Sequence, residues 1–262
     1  MKDILQEIVT RKREELSLLK TNHQIDLLQT SPMLSRPTTS LKKALVQSDS
    51  GIIAEFKRKS PSKGWLNPYA EPTSVIPAYD HAGAAALSIL TETFFFGGQL
   101  HDLQKVREQT QLPILRKDFI LDEIQLLESR AAGSDAVLLI AACLRPEECL
   151  SLARKAHTWG LEVLLEIHEE SELDYLTDEI DIVGVNNRHL GSFHTDVSNS
   201  FFLAEKLPLQ TIKISESGIS LPATVQQLRS KGFDGFLMGE HFMKTKLPGE
   251  TLKHFINQLQ EP

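Results

Sequence analysis

The chain has 262 residues, of which 41% are hydrophobic and 24% are charged, and its formal net charge is −7. This length and composition predict one globular domain over residues 1–262, since an α/β barrel commonly takes about 250 residues. The net negative charge argues against a nucleic-acid or membrane-surface binder, because such proteins use basic faces, but it leaves room for a small anionic substrate.

The first fifty residues form a predicted helical extension that precedes the first strand. Ile4, Leu5, Ile8 and Val9 recur at helical spacing, and charged residues follow them. The segment lacks the continuous apolar region of a signal peptide, and no stretch of the sequence approaches the roughly 18 apolar residues of a membrane span. We therefore expect neither a secretory signal nor a membrane anchor.

A regular alternation of strands and helices begins at residue 51. Runs rich in β-branched and apolar residues predict strands at 51–57, 85–91, 112–117, 135–140, 161–166, 181–186, 210–215 and 234–238. Eight strands alternating with helices in about 210 residues indicate an α/β fold, a (βα)8 TIM barrel over residues 51–262. An open doubly wound sheet is the alternative, but RKSPSKG after the first strand is not a dinucleotide-binding loop.

The cysteines and histidines give no sign of a metal centre. Cys143 and Cys149 match no zinc-binding spacing and provide no disulfide framework, so we expect reduced thiols and a cytoplasmic protein. The histidines on helical stretches are scattered without metal-ligand spacing.

Polar residues at the ends of the predicted strands are the candidates for chemistry, because active sites of such barrels lie at that end. Glu55 and Lys57 are two residues apart at the end of the first strand and share a face. Charged side chains in an otherwise apolar strand are costly unless they are paired or functional. A structural ion pair is the alternative for these two residues.

Three further strands end in residues suited to acid–base chemistry or to orienting a substrate. Lys117 ends the third strand, and burial or cationic neighbours would lower its pKa towards that of a proton donor at neutral pH. The alternative is a lysine that extends into solvent at the rim. Glu166 ends the fifth strand, and Asn186 ends the sixth with Arg188 on the same face. We expect Asn187 to point away from them.

The last two strands carry the signal for an anion. ISESGIS follows the seventh strand and MGEHF follows the eighth, the loops that commonly bind phosphate in these barrels. Gly218 and Gly239 allow a close approach of the backbone, and Ser217 adds a hydroxyl group. Ser60, in the loop after the first strand, offers another hydroxyl. The aromatic run FFFGG at 94–98 could wall an aromatic substrate or pack beneath a loop.

These motifs together resemble the indole-3-glycerol-phosphate synthases. The matching segments are IIAEFKRKSPSKG at 52–64, LSILTE at 87–92, PILRKDFI at 113–120, LLEIHEE at 164–170, GVNNRHL at 184–190 and ISESGI at 214–219. The resemblance runs through all eight βα units in order, and the family's helical extension fits residues 1–50.

The resemblance implies a lyase of tryptophan biosynthesis that acts on 1-(2-carboxyphenylamino)-1-deoxyribulose 5-phosphate without a metal or an organic cofactor. Lys117 would be the general acid of ring closure, and Glu166 the acid or base of dehydration. Lys57 would bind the substrate carboxylate or donate a proton, while Glu55 and Asn186 would orient the substrate and the catalytic lysine. Which lysine serves which step stays open. Substrate and phosphate binding would fall to Ser60, Phe119, Arg188, Ser217, Gly218 and Gly239.

The two alternative functions are another phosphate-binding barrel enzyme and a non-catalytic barrel. Phosphoribosylanthranilate isomerase, another phosphate-binding barrel, uses a cysteine and an aspartate, and no cysteine lies near the first strand here. A non-catalytic barrel would be expected to lack Lys117 or Glu166. Glu240 stands where some family members have serine, which weakens the case for a side-chain phosphate contact. We expect a monomer or a weak homo-oligomer, with the SPSKGW loop closing over the substrate.

Overall fold

A computed structural model describes residues 4–20, 22–189 and 194–261. Residues 1–3 of the predicted first helix and Leu190, at the end of the GVNNRHL motif, lie outside the described residues. The strands are β1 (Ile52–Phe56), β2 (Lys59–Ser60), β3 (Gly64–Trp65), β4 (Ala86–Leu90), β5 (Ile114–Lys117), β6 (Ala136–Ile140), β7 (Glu162–Ile167), β8 (Ile182–Asn186), β9 (Lys213–Glu216) and β10 (Gly235–Met238).

The helices alternate with the barrel strands after an N-terminal group of three. They are α1 (Ile4–Leu19), α2 (Asn22–Gln29), α3 (Leu41–Gln47), α4 (Pro72–His81), α5 (Leu100–Val106), α6 (Ile124–Ala132), α7 (Pro146–Thr158), α8 (Ser198–Ala204), α9 (Pro222–Ser230), α10 (Glu240–Met243) and α11 (Pro248–Gln260). A 3-10 helix at Glu170–Tyr175 follows β7. None of the described helices has both the length and the apolar character that crossing a membrane requires.

Eight parallel strands close into a barrel in the order β1-β10-β9-β8-β7-β6-β5-β4. Closure is made by β1, which pairs with β4 on one side and β10 on the other, for example through Ile53 with Ala86 and Ile53 with Leu237. Each barrel strand lies within or one residue beyond a segment predicted from the sequence. The predicted TIM barrel is therefore confirmed.

Alternation along the strands separates two apolar layers. Ile53, Leu115 and Leu164 belong to the cluster inside the barrel. Their strand neighbours, such as Ile52, Ile114 and Val163, belong to the layer between the strands and the outer helices. Because both faces of each strand are covered, the strands are almost continuously apolar. Polar side chains on the inner face are therefore conspicuous wherever they occur.

The N-terminal extension packs against both ends of the barrel interior. Leu41 and Leu45 of α3 are fully or almost fully buried in the inner cluster, and Leu45 lies against Gly235 at the start of β10. Ile8 of α1 joins the same cluster together with Phe119, at the carboxyl ends of the strands. A helical extension was predicted from the sequence, but its position across the barrel mouth was not.

Candidate active site

A cavity of about 430 Å³ opens at the carboxyl ends of the barrel strands. Every candidate site residue from the sequence lines it, together with residues that the sequence did not single out. The former are Glu55, Lys57, Ser60, Lys117, Phe119, Glu166, Asn186, Arg188, Ser217, Gly218 and Gly239. Strand alternation and strand-end positions had pointed to the lining residues on strands, whereas the loop residues had come from the loop positions and the family resemblance.

Lys117 lies at the centre of this site, between two buried carboxylates. Its Nζ is 2.6 Å from Oε2 of Glu166 and 2.8 Å from Oε2 of Glu216. The three residues lie at or next to the carboxyl ends of β5, β7 and β9 and are all at most 8% exposed. The alternative of a lysine that extends into solvent is therefore wrong. Glu216 was missed, although the inner-face position after Ile214 could have revealed it.

The shared ammonium group and the burial of the site shift the pKa values of the two carboxylates in opposite directions. Burial alone would lower the pKa of Lys117, but Glu166 and Glu216 outweigh it and raise that pKa above its ordinary value. Burial raises the pKa of Glu216 to about 7, despite the opposing effect of Lys117. The pKa of Glu166 is lowered, because Lys117 and His168 overcome the effect of burial.

The expectation of a lowered pKa for Lys117 is wrong for this structure. That expectation considered burial and cationic neighbours, whereas the neighbours at the end of β7 and β9 are anionic. Lys117 is consequently charged throughout the neutral pH range, which is the form that a general acid requires.

Glu55 and Lys57 form the ion pair that was considered as their structural alternative. Both also line the cavity, and the Lys57 side chain keeps 14% of its surface accessible there. Glu55 lies against Gly239 so closely that a Cβ at that glycine would overlap its carboxylate. Lys57 is therefore the more accessible member of the pair in the cavity, while Glu55 fills the space beside Gly239.

Arg188 connects three loops at the rim of the cavity. Its Nη1 donates to Oγ of Ser62 at 2.5 Å, and its Nη2 lies 3.4 Å from Oε2 of Glu240. The Oδ1 of Asn186 accepts from the backbone N–H of Arg188 at 3.0 Å. Glu240, at the position where a serine contact to phosphate had been considered, instead pairs with this guanidinium.

The backbone after β9 forms a tight turn in which two successive residues have positive φ. Ser217 and Gly218 both have positive φ, 68° and 77°, and Ser217 is the one non-glycine with this property in the described part of the chain. Asn187 points away from the cavity, as predicted, and its Nδ2 donates to Oγ of Ser215 and to the carbonyl of Ser217, both at 3.0 Å. The buried amide thus holds the turn in place.

One wall of the cavity is apolar and has two sources. Phe96 and Phe119 line it with their ring centroids 6.2 Å apart. The second source is the N-terminal extension, where Ile4 and Ile8 of α1 reach the cavity. The sequence had offered the aromatic run as a possible wall, but it gave no sign that α1 would complete it.

His168 is a further titratable residue beside the site that the sequence did not single out. It lies between β7 and the 3-10 helix. Its side chain is nevertheless only 11% exposed, and its Nε2 lies 3.3 Å from Oε1 of Glu166. His168 lies one residue beyond β7 and two residues after Glu166, so the spacing rule applied to Glu55 and Lys57 could have placed it beside Glu166.

The sequence of the chain matches one enzyme family over nearly its whole length. The sequence model described as indole-3-glycerol phosphate synthase matches residues 5–255. The indole-3-glycerol phosphate synthase of Bacteroides thetaiotaomicron is 55% identical over 260 residues, which cover 99% of this chain and 100% of the relative. That of Acidithiobacillus ferrooxidans is 39% identical over 259 residues, covering 97% and 98%.

Solved structures of more distant proteins share the barrel. The 3-hexulose-6-phosphate synthase from Salmonella typhimurium is 13% identical with a TM-score of 0.61, covering 80% of this chain and 100% of that one. The tryptophan synthase subunit alpha from Legionella pneumophila is 14% identical with a TM-score of 0.61, covering 84% and 96%. At these identities the likeness shows the fold alone.

Proposed function

This chain belongs to the indole-3-glycerol phosphate synthase family, and from that premise we propose how the residues at its barrel mouth divide the work of the synthase reaction. The enzyme is a carboxy-lyase of tryptophan biosynthesis. It converts 1-(2-carboxyphenylamino)-1-deoxyribulose 5-phosphate into indole-3-glycerol phosphate by ring closure, decarboxylation and dehydration. The position of Lys117 between Glu166 and Glu216 supports this assignment of roles most directly.

Lys117 is the proposed general acid of ring closure. The aromatic carbon that bears the carboxylate attacks C2′ of the ribulose chain, and the carbonyl oxygen there must gain a proton as the new bond forms. A buried, protonated lysine at hydrogen-bonding distance supplies that proton and stabilises the charge that develops on the oxygen. Glu216 holds the ammonium group in place from the side opposite Glu166.

Decarboxylation and dehydration complete the reaction. Loss of carbon dioxide returns the electron pair of the broken bond to the ring system. The hydroxyl group at C2′ then leaves as water with a proton from an acid, while a base removes a proton from C1′, the methylene carbon beside the ring nitrogen, so that the C1′–C2′ double bond of the indole forms. Glu166 is the proposed base, since its lowered pKa keeps it ionised. Lys57 faces the cavity where it can bind the substrate carboxylate or serve as the second acid.

The remaining lining residues bind the two ends of the substrate. The turn at Ser217 and Gly218, with Gly239 and Ser60 beside it, is the proposed phosphate site, supported by its backbone conformation and by the barrel's loop positions. Phe96 and Phe119 form the proposed apolar wall for the aromatic ring. Asn186 and Arg188, at the rim between them, orient the ribulose chain.

We also propose that the chain works as one domain, as a monomer or weak homo-oligomer, in the cytoplasm. Packing of α1 and α3 into the inner cluster supports one domain. The exposed side chains of Tyr69, Leu209 and Leu247 lie on three different connections of the chain. Cys143 and Cys149 are thiols that form no disulfide, which suits a reducing compartment. Light scattering across a range of concentrations tests the assembly state, and a concentration-independent dimer would contradict it.

The proposed division of roles is tested by turnover of the carboxyphenylamino-deoxyribulose phosphate, followed by indole fluorescence and by carbon dioxide release. We expect the purified chain to form both products in equal amounts. The Glu166→Gln variant, purified in the same way, should release less indole product because dehydration lacks its base. Equal rates for the two proteins would remove Glu166 from that role, and no turnover by the parent would contradict the reaction.

A further inference from the structure

His168 is enclosed by two carboxylates, one on each ring nitrogen. Its Nε2 lies 3.3 Å from Oε1 of Glu166, and its Nδ1 lies 3.6 Å from Oε2 of Glu172 in the 3-10 helix. Glu172 is itself fixed, because its carboxylate accepts the backbone N–H groups of His168 and Glu169. The side chains of His168 and Glu172 each have only 11% of their surface exposed. The imidazole therefore has little freedom to turn away from either partner.

Two carboxylates on opposite sides of the ring favour the imidazolium. A neutral imidazole carries one N–H and one lone pair, so one of the two carboxylates would face a lone pair. An imidazolium instead presents a positive charge to both carboxylates, in ion-pair contacts at which neither nitrogen has the geometry of a hydrogen bond. The charged groups that face the ring are Glu166 from β7 and Glu172 from the 3-10 helix, with Lys117 of β5 on the far side of Glu166. From α8 the neutral amide of Asn199 donates to the His168 carbonyl at 2.9 Å.

We propose that His168 is a positioning residue of the synthase reaction, a buried imidazolium that fixes Oε1 of Glu166 and keeps this base ionised after Lys117 has released its proton. The proposal rests on the roles proposed above for Glu166 and Lys117. The two cations bind different oxygens of Glu166, since Lys117 takes Oε2 and His168 takes Oε1. Once Lys117 protonates the substrate, it no longer provides a charge to Glu166. His168 then becomes the cation that holds Glu166 in its basic form for dehydration.

The pKa of His168 agrees with its position between two carboxylates. Burial alone would lower the pKa of His168, but Glu166 and Glu172 raise it to about 9. Deprotonation of this residue should therefore limit activity at alkaline pH, well before Lys117 loses its proton. Glu172 contributes through His168 and does not reach the reacting atoms.

The pH dependence of kcat in His168→Gln and Glu172→Gln tests the proposal. Glutamine at 168 keeps a hydrogen-bond donor but no charge. We expect kcat to fall about 10- to 100-fold with KM changed less than about threefold, and the acidic limb of the kcat profile to move to higher pH. In Glu172→Gln the alkaline limb should move to lower pH, because the imidazolium has lost one partner. Glu170→Gln, in the same 3-10 helix but exposed, is the matched control and should leave both limbs unchanged.

A variant whose melting temperature falls while both limbs stay in place would show a structural role and overturn the proposal. Should His168→Gln fail to fold, the imidazole nitrogen signals of the unaltered chain and of Glu172→Gln decide the question. We expect His168 to titrate near pH 9 in the parent and lower in the variant. Titration of His168 at or below its ordinary pKa of 6.5 in the parent overturns the proposal. This titration does not depend on turnover, so failure of the synthase assignment is distinguishable from failure of this inference.

Discussion

One ammonium group shared by two carboxylates dominates the site at the scale of single residues. The two glutamates compete for Lys117 in a buried setting, so one of them is held ionised while the pKa of the other rises. A substrate oxygen that binds next to Lys117 would contact an ammonium group whose orientation the two carboxylates already fix. Preorganisation of this kind is costly for folding but avoids reorganisation during the reaction.

The raised pKa of Glu216 makes a prediction about stability. A carboxyl whose pKa is higher in the folded than in the unfolded chain favours folding below its unfolded pKa, and that contribution disappears as pH rises through the folded value. For Glu216 this window runs from 4.5 to about 7. The free energy of unfolding of the parent, relative to Glu216→Gln, should therefore decline across this window in urea titrations. A difference that stays constant from pH 4.5 to 7 would show that Glu216 has no raised pKa.

Gly184 offers a way to displace Glu216 without removing it. A Cβ at position 184 would overlap the Glu216 carboxylate, which is the mobile end of a side chain. We expect Gly184→Ala to change the free energy of unfolding by less than about 1 kcal/mol while kcat falls about tenfold or more, because Glu216 leaves Lys117. Adding Gly184→Ala to Glu216→Gln should have little further effect on kcat. Full additivity of the two losses would mean that the alanine acts elsewhere.

Among the structural elements, α1 ties the N-terminal extension to the end of β5, the strand that carries Lys117. Lys12 of α1 is 7% exposed and lies 3.1 Å from Oδ1 of Asp118, the residue after Lys117. Asp118 also binds Arg116 at 2.9 Å, so the loss of Lys12 leaves it with one cation rather than none. The ion pair fastens α1 where Ile4 and Ile8 line the cavity.

Lys12→Met should consequently affect both stability and substrate binding. We expect the free energy of unfolding to fall by about 1–3 kcal/mol, since a buried charged hydrogen bond is lost, and KM to rise as the apolar wall loosens. Lys20→Met is the matched control, because Lys20 pairs with Asp122 at a site where 53% of its side chain is exposed. Its expected cost is under about 1 kcal/mol. Equal effects of both variants on KM would contradict a wall formed by α1.

The loop after β1 contains a short hairpin of β2 and β3, which Arg188 contacts through Ser62. Closure of this hairpin over the substrate remains a prediction. Substrate or product should slow tryptic cleavage after Lys59 and Lys63, because both lie in or between the hairpin strands. Cleavage at an unchanged rate with the site saturated would argue against closure.

At the scale of the whole molecule, the sequence pattern predicted the elements and their faces, but it did not predict which residues would be neighbours. Alternating runs and strand-end positions identified the barrel and placed Lys57, Lys117, Glu166 and Asn186 at one mouth, because these depend on local pattern and known strand direction. Glu216 obeys the same rule and could have been found by it. The sign of the pKa shift of Lys117 could not, because it depends on which strands become neighbours.

Two other features lay beyond the reach of the sequence for a physical reason. Alternation could place His168 on the face of Glu166, but its burial against Glu172 depends on the 3-10 helix that follows β7. The docking of α1 depends on contacts more than a hundred residues apart in the chain, between Lys12 and Asp118. Local patterns specify elements and faces, whereas such contacts follow only from the closed barrel.

The identity of the general acid is tested most directly by kcat and KM of Lys117→Met and Lys57→Met, measured together on the carboxyphenylamino-deoxyribulose phosphate. Circular dichroism of both variants would verify that each remains folded. With Lys117 as the acid, Lys117→Met should lower kcat by about 100-fold or more with a small change in KM, and Lys57→Met should mainly raise KM. Retention of kcat by Lys117→Met, with its collapse in Lys57→Met, would contradict the account and move the acid to Lys57.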